Sequence, residues 1–173
     1  MGVYPACGRL VGKMKRVKLS NRLVALAEMI DEGASVADIG TDHGFLPVFL
    51  AQTGAVQRIF ASDISAASLE RARQTAADYG VSDVITFFVG SGLVYVTPTQ
   101  VDTIVIAGLG GESILRILKD APWTLSRGMK LILQPQTKVD LLCRFLYDNG
   151  YAIRETKSVL DREKYYTIIL AGA

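Results

Sequence analysis

Apolar positions along the chain fall into two spacings that alternate. Leu19, Leu23, Leu26, Ala27 and Ile30 recur every three or four residues, which predicts a helix with Ser20 as its N-cap and Gly33 as its stop. Beyond it, the short apolar runs VADI, RIFAS, ITFFV, TIVIA and KLIL read as strands over residues 36–39, 58–62, 85–89, 103–107 and 130–133. Helical spacing fills the gaps at residues 44–52, 65–79 and 112–118, and returns at 139–149 before Gly150. Two more strand-like runs, at residues 153–159 and 165–170, flank the short segment LDREK.

Strands separated by helices run parallel in a sheet covered on both faces, because each crossover needs a helix. The last two runs are joined too closely for a crossover, so they form a hairpin and one of them runs antiparallel. The expected fold is α/β and Rossmann-like: a mostly parallel seven-stranded sheet with a C-terminal antiparallel hairpin.

The chain has 173 residues, half of them apolar, which suits one buried core better than two. It lacks both an apolar run of about eighteen residues and a signal-peptide pattern. The expectation is a cytoplasmic chain without a membrane partner. Cys7 and Cys143 stand far apart with no CxxC or Cys/His spacing, so free thiols are expected, with no disulfide and no metal site. The net charge of +2 is unevenly spread: residues 1–27 hold Arg9, Lys13, Lys15, Arg16, Lys18 and Arg22 and no acid. Residues 1–18 are therefore expected as a basic segment or extension suited to phosphates, and 19–173 as the folded domain. Met14 would serve equally well as a start.

Ligands of such sheets bind beyond the carboxyl ends of the strands, beside the first one. There the chain reads Asp38-Ile-Gly40-Thr-Asp42-His43-Gly44. This is not the GxGxxG of dinucleotide enzymes, whose pyrophosphate two carboxylates would repel; it matches the DxGxGxG turn of S-adenosylmethionine enzymes, with Asp42 at the middle glycine. The glycines allow close approach, and the acids suit a ligand bearing an ammonium and a sulfonium. A nicotinamide cofactor is disfavoured on the same ground.

The second strand ends in Asp63-Ile64, where a carboxylate can accept both ribose hydroxyls of an adenosine cofactor; an N-cap role for Asp63 is the competing reading. At the third strand end, Gly90-Ser91-Gly92 offers the Ser91 hydroxyl to the adenine amino group. The fourth ends in Ala107-Gly108-Leu-Gly110-Gly111, an open floor where methyl and acceptor meet, with glycine amides available to the substrate. No Asn-Pro-Pro-Tyr or Asp-Pro-Pro-Tyr turn occurs there, which lowers the odds of transfer to an exocyclic amine. Gln134-Pro135-Gln136 offers amides suited to a base edge. His43, the only histidine, adjoins the expected sulfonium site as a substrate contact or local catalyst, with a structural role equally open. Arg22 reaches the cofactor carboxylate if the first helix folds over the pocket.

LSNRL, DIGTDHGFLP, ASDI, GSGL, IAGLGG, LILQPQ and DREKYYTIIL occur in this order from about Met14 to Leu170, and together they resemble the bacterial tRNA (adenine-22-N1)-methyltransferase family. The resemblance implies a class I methyltransferase that moves a methyl group from S-adenosylmethionine to N1 of an adenine in the D-arm region of tRNA, with no DNA partner. On this reading the glycine turns are expected to hold the cofactor, His43 and Gln134 to meet the base or its loop as the catalytic pair, and the basic N-terminus to meet the phosphates. Family members carry GDGL where this chain has Gly90-Ser91-Gly92-Leu93, and they continue into a C-terminal helical domain that is expected to be absent here. Two readings stay open beside it: a methyltransferase for a small molecule, a protein or another RNA site, and a non-catalytic module that binds RNA or protein.

Overall fold

The computed structural model describes residues 15–173. Cys7, Arg9, Lys13 and Met14, with the proposed extension before Met14, lie outside the described residues. Seven strands form one sheet: β1 (Ser35–Ile39), β2 (Arg58–Asp63), β3 (Ile85–Val89), β4 (Thr103–Leu109), β5 (Lys130–Pro135), β6 (Ala152–Asp161) and β7 (Lys164–Gly172). Five helices accompany them: α1 (Asn21–Glu28), α2 (Phe45–Thr53), α3 (Ala66–Asp78), α4 (Gly111–Asp120) and α5 (Val139–Asp148). The order across the sheet is β3-β2-β1-β4-β5-β7-β6. β1 to β5 pair in parallel, while β7 runs antiparallel to both β5 and β6. The expected class and the closing hairpin are both present.

β1 is buried at every residue, as a central strand packed on both faces must be. Along β4, Ile104 and Ile106 turn to one face and Val105 to the other; Leu131, Leu133 and Ile132 divide likewise in β5. One face packs against Ile114 and Leu118 of α4 and Leu142, Phe145 and Leu146 of α5. The other packs against Leu26 of α1, Leu46, Val48 and Leu50 of α2, and Ala76 of α3.

The first helix is shorter than its apolar spacing predicts. It ends at Glu28, with Met29 as its C-cap, because a tertiary contact takes over: Lys130 Nζ donates to the Met29 carbonyl at 3.1 Å. Gly33 is instead the turn into β1, its N–H donating to the Ala55 carbonyl. Ser20 holds the N-cap position with extended backbone, but its side chain makes no capping bond.

Candidate functional site

The sheet's order reverses between β1 and β4, and a cavity of about 570 Å³ opens there at the carboxyl ends of the strands. Gly40, at φ +78°, turns the chain out of β1, and the N–H groups of Gly40 and Thr41 both donate to the Ser62 carbonyl, at 2.8 and 3.0 Å. Asp42 N–H donates to Asp63 Oδ2 at 3.1 Å, and Gly44 N–H to the Thr41 carbonyl at 2.9 Å. Four amides of this glycine turn are therefore engaged inside the protein.

Asp38 and Asp42 sit in different settings. Asp42 takes a left-handed φ of +49°, which an aspartate tolerates better than most residues, at the position of the motif's middle glycine. Its exposed carboxylate already lies 3.3 Å from Arg71 and 3.7 Å from His43. Both acids line the cavity, but Asp42 is exposed and already paired, whereas Asp38 is buried. Burial pushes the Asp38 carboxyl up to about 6; the Thr41 hydroxyl opposes the rise, Asp63 adds to it, and Arg22 opposes it. Thr41 also lines the cavity, with its buried hydroxyl turned to Asp38. A cationic ligand group would answer the buried carboxylate.

Arg22 does reach over the pocket from α1. Its Nη1 donates to Gln134 Oε1 at 2.7 Å, and its guanidinium lies 5.4 Å from the Tyr166 ring centre. Gln134 is not where a base contact requires it: it is fully buried and outside the cavity wall. Its Oε1 accepts from Arg22 and, at 3.1 Å, from Gly108 N–H, while its Nε2 donates to the Pro135 carbonyl at 3.0 Å. Gln134 therefore positions Arg22 and the β4 turn, and Gln136 is the amide that faces the cavity. The Gly108 amide, expected to face substrate, is occupied by the same bond. Gly108 still needs to be glycine, since it holds φ +77° and a Cβ there would point between Arg22 and Gln136.

Asp63, Ile64, Gly90, Ser91 and Ala107 all line the cavity, as does His43. Asp63 is not the cap of the next helix; that role falls to Ser65, whose hydroxyl accepts from Ser68 N–H. Asp63 Oδ1 accepts from Ser65 N–H at 2.8 Å, so both its oxygens are oriented by backbone donors while each keeps a free lone pair. Gly44 does not line the cavity: a Cβ there would come within 2.9 Å of the Ala72 Cβ, so this glycine lets α2 start against α3. Of the basic N-terminal segment, Lys15 lies at the far end of α2 from the cavity, where its carbonyl accepts from Gln52 Nε2 at 2.9 Å.

Phe45, Leu109, Ser113 and Arg116 line the cavity without having been singled out by the sequence, while Gln136, of the expected amide pair, does line it. For Ser113 and Arg116 the signal was their three-residue spacing on one face of α4. Phe45 stands beside the recognised turn, inside the helical run at residues 44–52.

Residues 19–169 match the family described as "Methyltransferase domain". The chain is 32% identical over 160 residues to the tRNA (adenine(22)-N(1))-methyltransferase of Bacillus subtilis, an alignment spanning 92% of this chain and 67% of that protein. The crystal structure of the B. subtilis M1A22 tRNA methyltransferase superposes with a TM-score of 0.85 at 32% identity, covering 91% of this chain and 68% of that one. An M. capricolum homologue of that enzyme, solved with S-adenosyl-homocysteine, gives a TM-score of 0.78 at 29% identity, with 88% and 68% covered.

Proposed function

The chain belongs to the methyltransferase-domain family and, within it, to the tRNA (adenine-22-N1)-methyltransferases, and on that premise we propose that it methylates N1 of an adenine in tRNA. The observation that carries the reading is the buried Asp38 carboxyl, in a cavity where the N–H groups of Gly40, Thr41, Asp42 and Gly44 already donate within the protein. When bound, S-adenosylmethionine supplies an electrophilic methyl carbon, whose bond to sulfur breaks as the adenine N1 lone pair attacks it. Asp38 takes the ligand's ammonium and Arg22 its carboxylate, using guanidinium donors that Gln134 leaves free. The free lone pairs of Asp63 accept the ribose hydroxyls, beside Ile64, and Ser91 accepts from or donates to the adenine edge.

N1 of adenine presents its lone pair without prior loss of a proton, so this site needs positioning more than a strong base. His43 and Gln136 face the acceptor, and Gln134 acts through Arg22 and Gly108. The exposed Arg116 at the cavity wall meets backbone phosphate. The acceptor is adenine 22 in the D-arm, and the chain works in the cytoplasm, where tRNA is modified. No helix among the described residues is long and apolar enough to cross a membrane. Incubation with unmodified tRNA and methyl-labelled S-adenosylmethionine, followed by nuclease mapping, tests the reading. Label recovered as 1-methyladenosine at position 22 supports it; label on another nucleotide, or none on tRNA, contradicts it.

A further inference from the structure

Among the residues that line the cavity, only His43 and Phe45 carry rings, and the two are stacked, with centroids 5.7 Å apart and planes 22° apart. Phe45 is the first residue of α2 and stays 39% exposed, although Leu46, Val48 and Leu50 of the same helix are buried. It belongs to neither core cluster, so core packing does not account for it. Its backbone is firmly set, because Gly44 just before it packs against Ala72 of α3. The β4 end of the cavity offers Ala107, Gly108 and Leu109 and no ring.

Methylating a ring nitrogen requires the base to be held as a fixed plane, with its lone pair aimed along one line. A base taken out of the RNA stack loses its neighbours' faces and needs another face to lie on. We propose that Phe45, backed by His43, is the platform on which the acceptor adenine stacks. The inference rests on the methyl-transfer reading for the identity of the acceptor. Phe45 thereby fixes the plane of the base, while hydrogen-bonding groups such as Gln136 read its edge.

The test uses tRNA carrying 2-aminopurine in place of adenine 22, titrated with the whole chain in the presence of S-adenosylhomocysteine. Leaving the RNA stack brightens the probe and stacking on Phe45 fixes its plane, so the wild-type complex is expected to show a slow, ordered anisotropy decay of the probe, and the F45L complex a fast local one. In turnover of unmodified tRNA, F45L is expected to lose about 5- to 100-fold in kcat/KM, the range of one base–aromatic stack, while F45Y recovers most of it. Affinity for S-adenosylmethionine stays at the wild-type value in both variants. An F45L chain that orders the probe and turns over like wild type overturns the platform, as does a matching loss of cofactor affinity. A wild-type chain that orders the probe but methylates no tRNA overturns the methyl-transfer reading and leaves the platform standing.

Discussion

Burial of the Asp38 carboxylate costs the ligand-free fold stability, and on the proposed function a bound cation offsets that cost. The Asp38 carboxyl is raised from 3.8 to about 6 chiefly by burial, so between those values the folded chain holds a proton that the unfolded chain has released. Stability from this group therefore falls as pH rises through that window, by about 3 kcal/mol for a shift of that size. D38N removes the buried charge. It should raise the denaturation midpoint of the ligand-free chain at pH 7.5, with the gain shrinking below about pH 4, and it should weaken S-adenosylmethionine binding. Denaturant titrations at both pH values check this; a D38N chain less stable than wild type at pH 7.5 contradicts it. The acids and glycines of DIGTDHG were legible because their types and spacing carry the chemistry. Gln134 was not, because its partner Arg22 lies 112 residues away in the chain.

At the scale of elements, the junction between β1 and α2 sets the site's geometry. Gly44 joins them at φ +70° and leaves no room for a Cβ against Ala72. G44A should cost about 1–2 kcal/mol from the left-handed backbone alone, with the Ala72 clash added. Measured against A72G alone, which carries its own helix cost of about 1 kcal/mol, G44A/A72G should recover the clash and not the backbone part, a split that denaturant melts of the three variants read. Full recovery in the double variant would remove the backbone explanation. The alternating spacings gave every strand and long helix its place, yet element ends were settled by distant contacts, as at Met29 with Lys130. The β6–β7 turn is a further case: Arg162 and Glu163 both hold positive φ, where hairpins usually place Asn-Gly. Strand spacing revealed that hairpin, since its turn residues gave no signal.

Across the whole molecule, the reversal between β1 and β4 gathers residues from α1, α4 and the ends of β1 to β4 into one cavity. The parallel part of the sheet was legible from the need for helical crossovers. The insertion of β7 between β5 and β6 was not, because the spacing of the last two strands fixes their pairing and says nothing of which one meets β5. The cavity's character follows from the same assembly: the amides of its glycine turn point back to Ser62, Asp63 and Thr41, and the buried carboxylate points to a cation. The most direct measurement is calorimetric titration of the chain at pH 7.5 with S-adenosylmethionine and, separately, with NADH. Saturable one-site binding of S-adenosylmethionine with none of NADH is the predicted result. Binding of NADH, or of neither, would contradict a pocket built for a cationic adenosine cofactor.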